Sequence, residues 1–323
     1  MFKTVKKIFA SRIFKLIFSS VLIYLAFRKF DVLNLLSQLA GVKIWFVILN
    51  IFISIFFVFL ISYRWSLLLI KKPKFSDFLN FAKSSWAASF YGLFVPSMAG
   101  TDVVKWLIID NKYPEISKTK LLGSVFLDRF IGMSTYMFVG FIFVFVARSK
   151  GIFVPDFLLV LIGLLVLGCL SFYIFIYFFD INKTIFRWKI FKRWKVLNKL
   201  IPVGELVNRK NLGQIVKGLL LSVVSEFGWV LQLWFISWYF GANLSLFSIL
   251  VYIPVISVIL LLPISIAGFG AREQLYLFFF LKVGGVAEGI LLTSTFGGIL
   301  AVLNCLIGGL VTLTPDFKKI DKK

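Results

Sequence analysis

The sequence predicts an all-α polytopic membrane protein of six full crossings plus two broken, re-entrant hairpins: eight hydrophobic helical units arranged as an inverted repeat. Three observations predict it. First, 60% of the 323 residues are hydrophobic and 15% are charged, with mean hydropathy +0.97. A soluble domain keeps roughly a quarter of its residues charged, so this balance cannot cover a surface facing water. Second, several apolar runs reach the roughly 20 residues that a helix needs to span a bilayer core. Third, two further apolar regions are interrupted by proline and glycine at matching places in the two halves of the chain. Barrel strands would read as short alternating segments with polar turns; long continuous runs select helices.

The elements follow in order. Lys3, Lys6 and Lys7 followed by an apolar run imitate a signal peptide, but there is no small-residue cleavage site and the run continues into Arg28 and Lys29. Residues 9–27 are therefore a retained first crossing. Further crossings are predicted over 42–62, 121–147, 157–179, 217–239 and 287–313. Region 75–106 is broken at Pro96-Ser97-Met98-Ala99-Gly100, and region 244–282 at Pro263 and again at Ala267-Gly268-Phe269-Gly270. Proline removes a backbone donor and glycine loosens a helix. Polar backbone freed at membrane depth must be satisfied by protein or by a water-filled cavity. Both breaks contain proline, then Ser-x-Ala-Gly, then a basic residue. The single membrane domain, 1–323, thus divides into pseudo-halves of about 1–150 and 151–323, the inverted-repeat plan in which sites form where discontinuous helices meet. An alternative splits 244–282 into two crossings, eight in all. Residues 270–282 rise only about 20 Å at 1.5 Å per residue, which favours the hairpin.

The formal net charge is +22. In a soluble protein this would suggest nucleic acid; in a membrane protein, basic residues collect in cytoplasmic loops. With a cytoplasmic N-terminus, 28 of the 36 basic residues fall on the inner side and six on the outer. Both termini are therefore expected inside, in the plasma membrane, with no nucleic acid as partner. In 183–201, Phe186, Ile190, Trp194, Leu197 and Ile201 recur at helical spacing among Arg187, Lys192, Arg193, Lys195 and Lys199, an interfacial amphipathic helix on an anionic leaflet. It is either a positive-inside anchor or a lipid-recruiting element.

Histidine is absent, and the two cysteines lie in separate apolar segments. That excludes Ser–His–Asp and Cys–His catalysis, His-containing metal sites and a disulfide framework. No Walker or dinucleotide motif is present. The expectation is a protein with no catalytic residues, metal or cofactor, not an enzyme, and any uphill transport must draw on a gradient or a partner.

Ionisable residues at membrane depth point to function. Asp102 and Lys105 follow the first break. If helix resumes at Thr101 they share a face, with Asp102 in the first turn, where the dipole favours an anion. They form either a cap with a local ion pair or the polar floor for a headgroup. Asp128 and Arg129 are adjacent, so they face apart and each needs its own partner, Lys105 and Glu226 being available. Arg129 either snorkels to the interface or offers its planar fork to phosphate. Arg272 and Glu273 follow the glycine-rich break, where free backbone donors at a helix N-terminus make an anion site; the alternative is a structural salt bridge between the halves. Glu226 is read as the buried counter-ion of Arg129 or Arg272, with proton carriage as the other option. Pro96, Gly100, Pro263, Gly268 and Gly270 are the backbone hinges.

Three motifs then carry a resemblance: Gly100-Thr101-Asp102-Val103-Val104-Lys105, Leu127-Asp128-Arg129-Phe130-Ile131-Gly132, and Pro263-Ile264-Ser265-Ile266-Ala267-Gly268-Phe269-Gly270-Ala271-Arg272-Glu273. In order and hydropathy the chain resembles the lysylphosphatidylglycerol synthase transmembrane-region family, the flippase-like domain proteins. Lys105 stands where relatives usually have arginine. The resemblance implies a domain that moves lipids between leaflets. In fused members it accompanies a soluble aminoacyl-lipid synthase. No such domain is read in these 323 residues, so aminoacylation is not expected. The implied function is a flippase or transporter for a phosphate-bearing lipid, phospholipid or polyprenyl-linked, whose phosphate meets Arg272, Arg129 and Lys105. The implied partners are anionic membrane lipids. The alternative is a non-catalytic accessory subunit of a membrane glycosyltransferase or lipid synthase. A membrane enzyme acting on lipid phosphate is a third reading, for which no nucleophile–base pair is visible.

Overall fold

In hydrocarbon every backbone N–H must find its acceptor within its own segment, so apolar runs become helices. The computed structural model describes residues 12–28, 30–94, 98–178, 206, 211–260, 265 and 268–314. Among them all regular structure is helical: α1 (Arg12–Phe27), α2 (Val32–Ala40), α3 (Ile44–Leu69), α4 (Phe75–Phe94), α5 (Met98–Lys112), α6 (Lys118–Ser149), α7 (Asp156–Phe178), α8 (Leu212–Tyr239), α9 (Leu246–Leu260), α10 (Ala271–Phe280) with a 3-10 turn (Leu281–Val283), and α11 (Ala287–Thr312). Five of these, α3, α6, α7, α8 and α11, are long and apolar enough to cross a membrane. They match five of the six predicted crossings. The sixth is represented by α1, with 16 residues. Pro96, Pro263 and the amphipathic segment 183–201 lie outside the described residues.

Two local features differ from the sequence reading. Residues 31–40, expected as an outer loop, hold α2. Asp31 starts it by accepting the N–H groups of Leu33 and Asn34 at 3.0 and 3.2 Å, the usual N-cap role of a short acidic side chain. After the first break, helix resumes at Met98 rather than Thr101, so Asp102 sits in the second turn of α5 and not at its dipole end. Both breaks nevertheless end helices where proline and glycine predict. α9 stops at Leu260, and α10 starts at Ala271 behind Gly268 (φ 81°) and Gly270 (φ 78°), a backbone region that favours glycine.

Helix packing relates the two halves. α4, the first arm of the first broken pair, packs most extensively on α11, the last crossing of the second half. Reciprocally, α9 packs on α6. Exchanging α3, α4, α5, α6 for α8, α9, α10, α11 leaves the α3–α8 contact in place and converts the other major contacts among them into one another: α3–α4 into α8–α9, α5–α6 into α10–α11, and α6–α8 into α3–α11 among them. Small residues set the closest approaches, as is usual between helices in lipid. A Cβ on Gly308 would collide with the Trp86 carbonyl of α4, and one on Gly140 would lie 3.0 Å from Pro254 Cγ of α9. The largest apolar cluster joins α6, α7, α9 and α10 around Leu158, Ile249, Tyr252 and Phe280.

The outer surface is apolar. Phe52, Phe56, Leu161, Leu164, Leu220, Val224, Leu306 and Leu310 are all exposed. A continuous belt of this kind is unsustainable in water and is the lipid face of an integral membrane protein.

A polar corner ties the α4–α5 pair at one end. The Tyr113 hydroxyl donates to Asp77 Oδ1 at 2.8 Å and accepts from Asn80 Nδ2 at 3.1 Å, while Lys112 Nζ donates to Asn80 Oδ1 at 2.7 Å. Burial, with the Asp77 carboxylate adding to it, pushes the Tyr113 hydroxyl up to about 12. The folded hydroxyl holds its proton more tightly than an unfolded one near 10. The corner's stabilisation is therefore complete below pH about 10 and fades toward pH about 12. Tyr113→Phe should remove that alkaline limb from an unfolding-versus-pH profile measured in micelles. A limb of unchanged size would show that Tyr113 does not produce it.

Candidate functional site

The charged residues gather in two groups. The first sits between α3, α5, α6 and α8. Arg64 Nε donates to Asp128 Oδ1 at 2.7 Å, its Nη2 to the Asp128 carbonyl at 3.1 Å and its Nη1 to Ser222 Oγ at 2.7 Å. Both members of the ion pair are buried. The spacing explains the fit. Asp128 and Gly132 lie four apart on one face of α6, so the carboxylate holds the guanidinium while the glycine makes room for it; a Cβ there would be 3.2 Å from Nη1. Gly218, Ser222 and Glu226 repeat at four-residue spacing on α8, and Gly218 lies against the Arg64 stem. Arg129, facing the other way, pairs with Asp102 at 2.5 Å. Lys105 Nζ stands 5.5 Å from the centre of the Trp65 ring, whose own N–H donates to Ser124 at 3.0 Å.

These partners correct the sequence reading. Asp128 and Arg129 do pair separately, but with Arg64 and Asp102 instead of Lys105 and Glu226. Glu226 is not in an ion pair with Arg129 or Arg272. It is buried and lies within electrostatic reach of the Tyr136 hydroxyl and of Arg64. Its Oε2 has no hydrogen-bond partner. Arg64 is the residue that sequence reasoning missed. It stands at the end of an apolar run, where the positive-inside rule absorbs it into the following loop. The signal that could have found it is the unmatched Asp128 on a crossing helix.

The second group forms at the second break. Glu273 is the third residue of α10, and its Oε2 accepts the Gly270 N–H at 2.6 Å, closing the helix start. Its Oε1 accepts from Ser294 Oγ of α11 at 3.1 Å and lies 3.4 Å from Arg272 Nη2. The anion expected at this helix N-terminus is therefore the chain's own carboxylate. Arg272 lies over the Phe269 ring at 5.4 Å and fills the space left by Gly298, where a Cβ would press on its Nη2. Its Nε is buried without a partner.

Arg272 forms part of the wall of a cavity of about 280 Å³ enclosed by α3, α6, α8, α9, α10 and α11. Ser54, Tyr136, Gln232, Ser257, Thr293, Ser294 and Asn304 supply its polar lining; Trp229, Leu233, Ile236 and Tyr276 are among the rest. Gln232 Nε2 donates to the Asn50 carbonyl at 2.9 Å, to Asn50 Oδ1 and to Ser54 Oγ, fixing α8 to α3 at one side. Two roomier hollows, about 440 and 620 Å³, are lined mostly by apolar side chains such as Phe56, Phe59 and Phe78 or Ile51, Leu306 and Leu310. They suit acyl chains and carry no chemistry.

Of the predicted site residues, Arg272 lines the polar cavity, Glu273 touches it through Ser294, and Glu226 through Tyr136. Asp102, Lys105, Asp128 and Arg129 are not part of its wall. Gly268 and Gly270 form the turn that presents Arg272; Gly100 lies in the first turn of α5. Among the described residues no group of acidic, cysteine or histidine side chains is placed to hold a metal ion. No curated protein and no solved structure matches the chain. The family described as Lysylphosphatidylglycerol synthase TM region matches residues 12–309, nearly the whole length, and the protein belongs to that family.

Proposed function

We propose that the protein moves a phosphate-bearing lipid between leaflets, with the headgroup passing through the cavity at Arg272. One observation carries this reading: a polar cavity inside an apolar membrane domain, walled by a guanidinium whose Nε has no protein partner. An arginine fork is matched to phosphate in shape and charge. A half-buried cation with a 3.4 Å contact to its neighbour's carboxylate and the Phe269 ring beside it gains from a second anion. The reading requires no chemical step by the protein. Family membership agrees with a lipid-related role.

The reciprocal packing of the halves supports an inverted repeat; the excess of basic residues in the predicted inner segments supports an orientation in the plasma membrane with both termini cytoplasmic. The ten residues of α10 rise about 15 Å, half the core thickness. A site at the interface of two inverted halves is the arrangement that alternating access uses.

The test is mass spectrometry of lipids that co-purify with the protein and with Arg272→Ala, followed by headgroup-labelled lipid transfer in proteoliposomes. Enrichment of one phosphate-bearing lipid, lost together with transfer in folded Arg272→Ala, is the expected result. Bulk-membrane lipid in both samples and no transfer would move the assignment to an accessory subunit of a membrane glycosyltransferase or lipid synthase.

A further inference from the structure

We infer that Glu226 is a proton-carrying acid that exchanges its proton with the polar cavity, and that this exchange couples transport to a proton gradient. The coupling rests on the preceding reading, that the protein moves a lipid; the proton site does not.

Glu226 stands at the middle of α8, the depth at which an ionisable side chain is costliest. Ser222, four residues back, accepts from Nη1 of Arg64. Trp229 and Leu233, three and seven residues on, line the cavity, and so does Tyr136 of α6, whose hydroxyl lies within electrostatic reach of the carboxyl. Residues at these spacings share one face of a helix. Glu226 therefore occupies the turn of α8 between the Arg64 group and the cavity.

Its surroundings give it no cation of its own. Glu226 is 5% exposed, and its Oε2 is buried without a hydrogen-bond partner. The helices packed on α8 are α3, α6, α9 and α11. α3 brings Arg64 within reach, and α6 brings Tyr136 together with Asp128, which faces Arg64; α9 and α11 bring no charged group to it. Tyr276 of α10, also on the cavity wall, reaches Tyr136 in turn. The Arg64 guanidinium is already committed, through Nε and Nη2 to Asp128 and through Nη1 to Ser222. With Glu226 ionised, one cation would face two buried carboxylates. With a proton on Glu226 the three groups are neutral together, and a buried charge without its own counter-ion takes the neutral form. Arg64 also keeps the charged form accessible, since a carboxylate left by proton release faces a guanidinium that Asp128 alone otherwise holds.

The step is a proton transfer and nothing else. The carboxyl O–H bond breaks, its electron pair stays on the carboxylate, and the proton passes beside Tyr136 to water in the cavity, whose polar wall and volume of about 280 Å³ leave room for it. Once the halves have rocked, water on the opposite side returns a proton. Closing the cavity costs least while Glu226 is neutral, which ties each proton to a loaded cavity.

The experiment uses the full chain in vesicles holding a trapped pH dye, with a pH step applied outside. Two membranes are compared: total polar lipid of the source organism, and digalactosyldiacylglycerol, which carries no phosphate. Wild type should dissipate the step in the first and hold it in the second. Glu226→Gln, similar in shape to the neutral acid but unable to release a proton, should hold it in both. Infrared spectra of the purified chain supply an independent readout. A protonated-carboxyl band should be present at neutral pH, shift in D2O, and be missing from Glu226→Gln; Tyr136→Phe should keep the band and slow its shift. If Glu226→Gln fails to fold, the wild-type band and Tyr136→Phe decide the matter. Wild type without the band, or Glu226→Gln dissipating the step as fast as wild type, would overturn the proton site. Flux equal in both membranes and absent from Glu226→Gln would keep the acid and overturn the lipid reading. An exchanging band without flux in either membrane, while lipid transfer lost in Arg272→Ala persists in wild type, would overturn the coupling and leave the lipid reading intact.

Discussion

Arg64→Leu is expected to cost about 3–5 kcal/mol of stability, the scale for removing one member of a buried ion pair. The loss is large because Asp128 remains. Its carboxylate would lie buried without the guanidinium that it pairs with. The double variant Arg64→Leu/Asp128→Leu should recover most of the loss, since an apolar pair of similar volume often does as well as a buried ion pair. Denaturant unfolding in micelles, run as a double-mutant cycle, reads both quantities. A double variant less stable than Arg64→Leu by the full cost of Asp128→Leu alone would show that the two side chains act independently.

Gly308→Val is expected to disrupt the broadest helix contact among the described residues. Its Cβ would collide with the Trp86 carbonyl, which is backbone and cannot rotate away. Overpacking of a fixed contact costs about 1–3 kcal/mol, occasionally more. Here α4 must shift along much of its contact with α11, placing the effect at the upper end. Gly168→Val is the matched control, because nothing approaches that position of α7 within 4 Å. Unfolding of the two variants side by side gives the measurement; equal stability would mean that α4 and α11 can separate at little cost.

Much of the architecture was legible in the sequence because the bilayer imposes a single rule, about 20 apolar residues per crossing. That rule located α6, α7 and α11 within about three residues, started α8 five residues late and ended α3 seven residues early, before Arg64. Proline and glycine located both breaks, because each removes or loosens helical hydrogen bonds whatever surrounds it. α2 was missed because a nine-residue helix is too short for the rule; the cue was Asp31, an N-cap residue read as loop. The site was legible in its ingredients and not in its pairings. Adjacency on a helix correctly sent Asp128 and Arg129 to different partners, but choosing them needs tertiary geometry. Arg64 was hidden by position, since an arginine at the end of an apolar run looks the same whether it turns back into the bundle or out to the headgroups. Gln232, Asn304 and Ser54, which shape the cavity, are uncharged and stand out only once the fold has brought them together.

The reciprocal seating of α4 on α11 and α9 on α6 bears on how the chain is made. During synthesis α4 enters the bilayer long before its principal neighbour exists. The roughly 190 residues between Phe94 and Ala287, at about 5–20 residues per second, leave it waiting on the order of 10–40 s. Throughout that interval the Trp86 carbonyl edge, against which Gly308 of α11 later packs, stands without that cover. The packing of the first half is therefore complete only after the last helix has emerged from the ribosome.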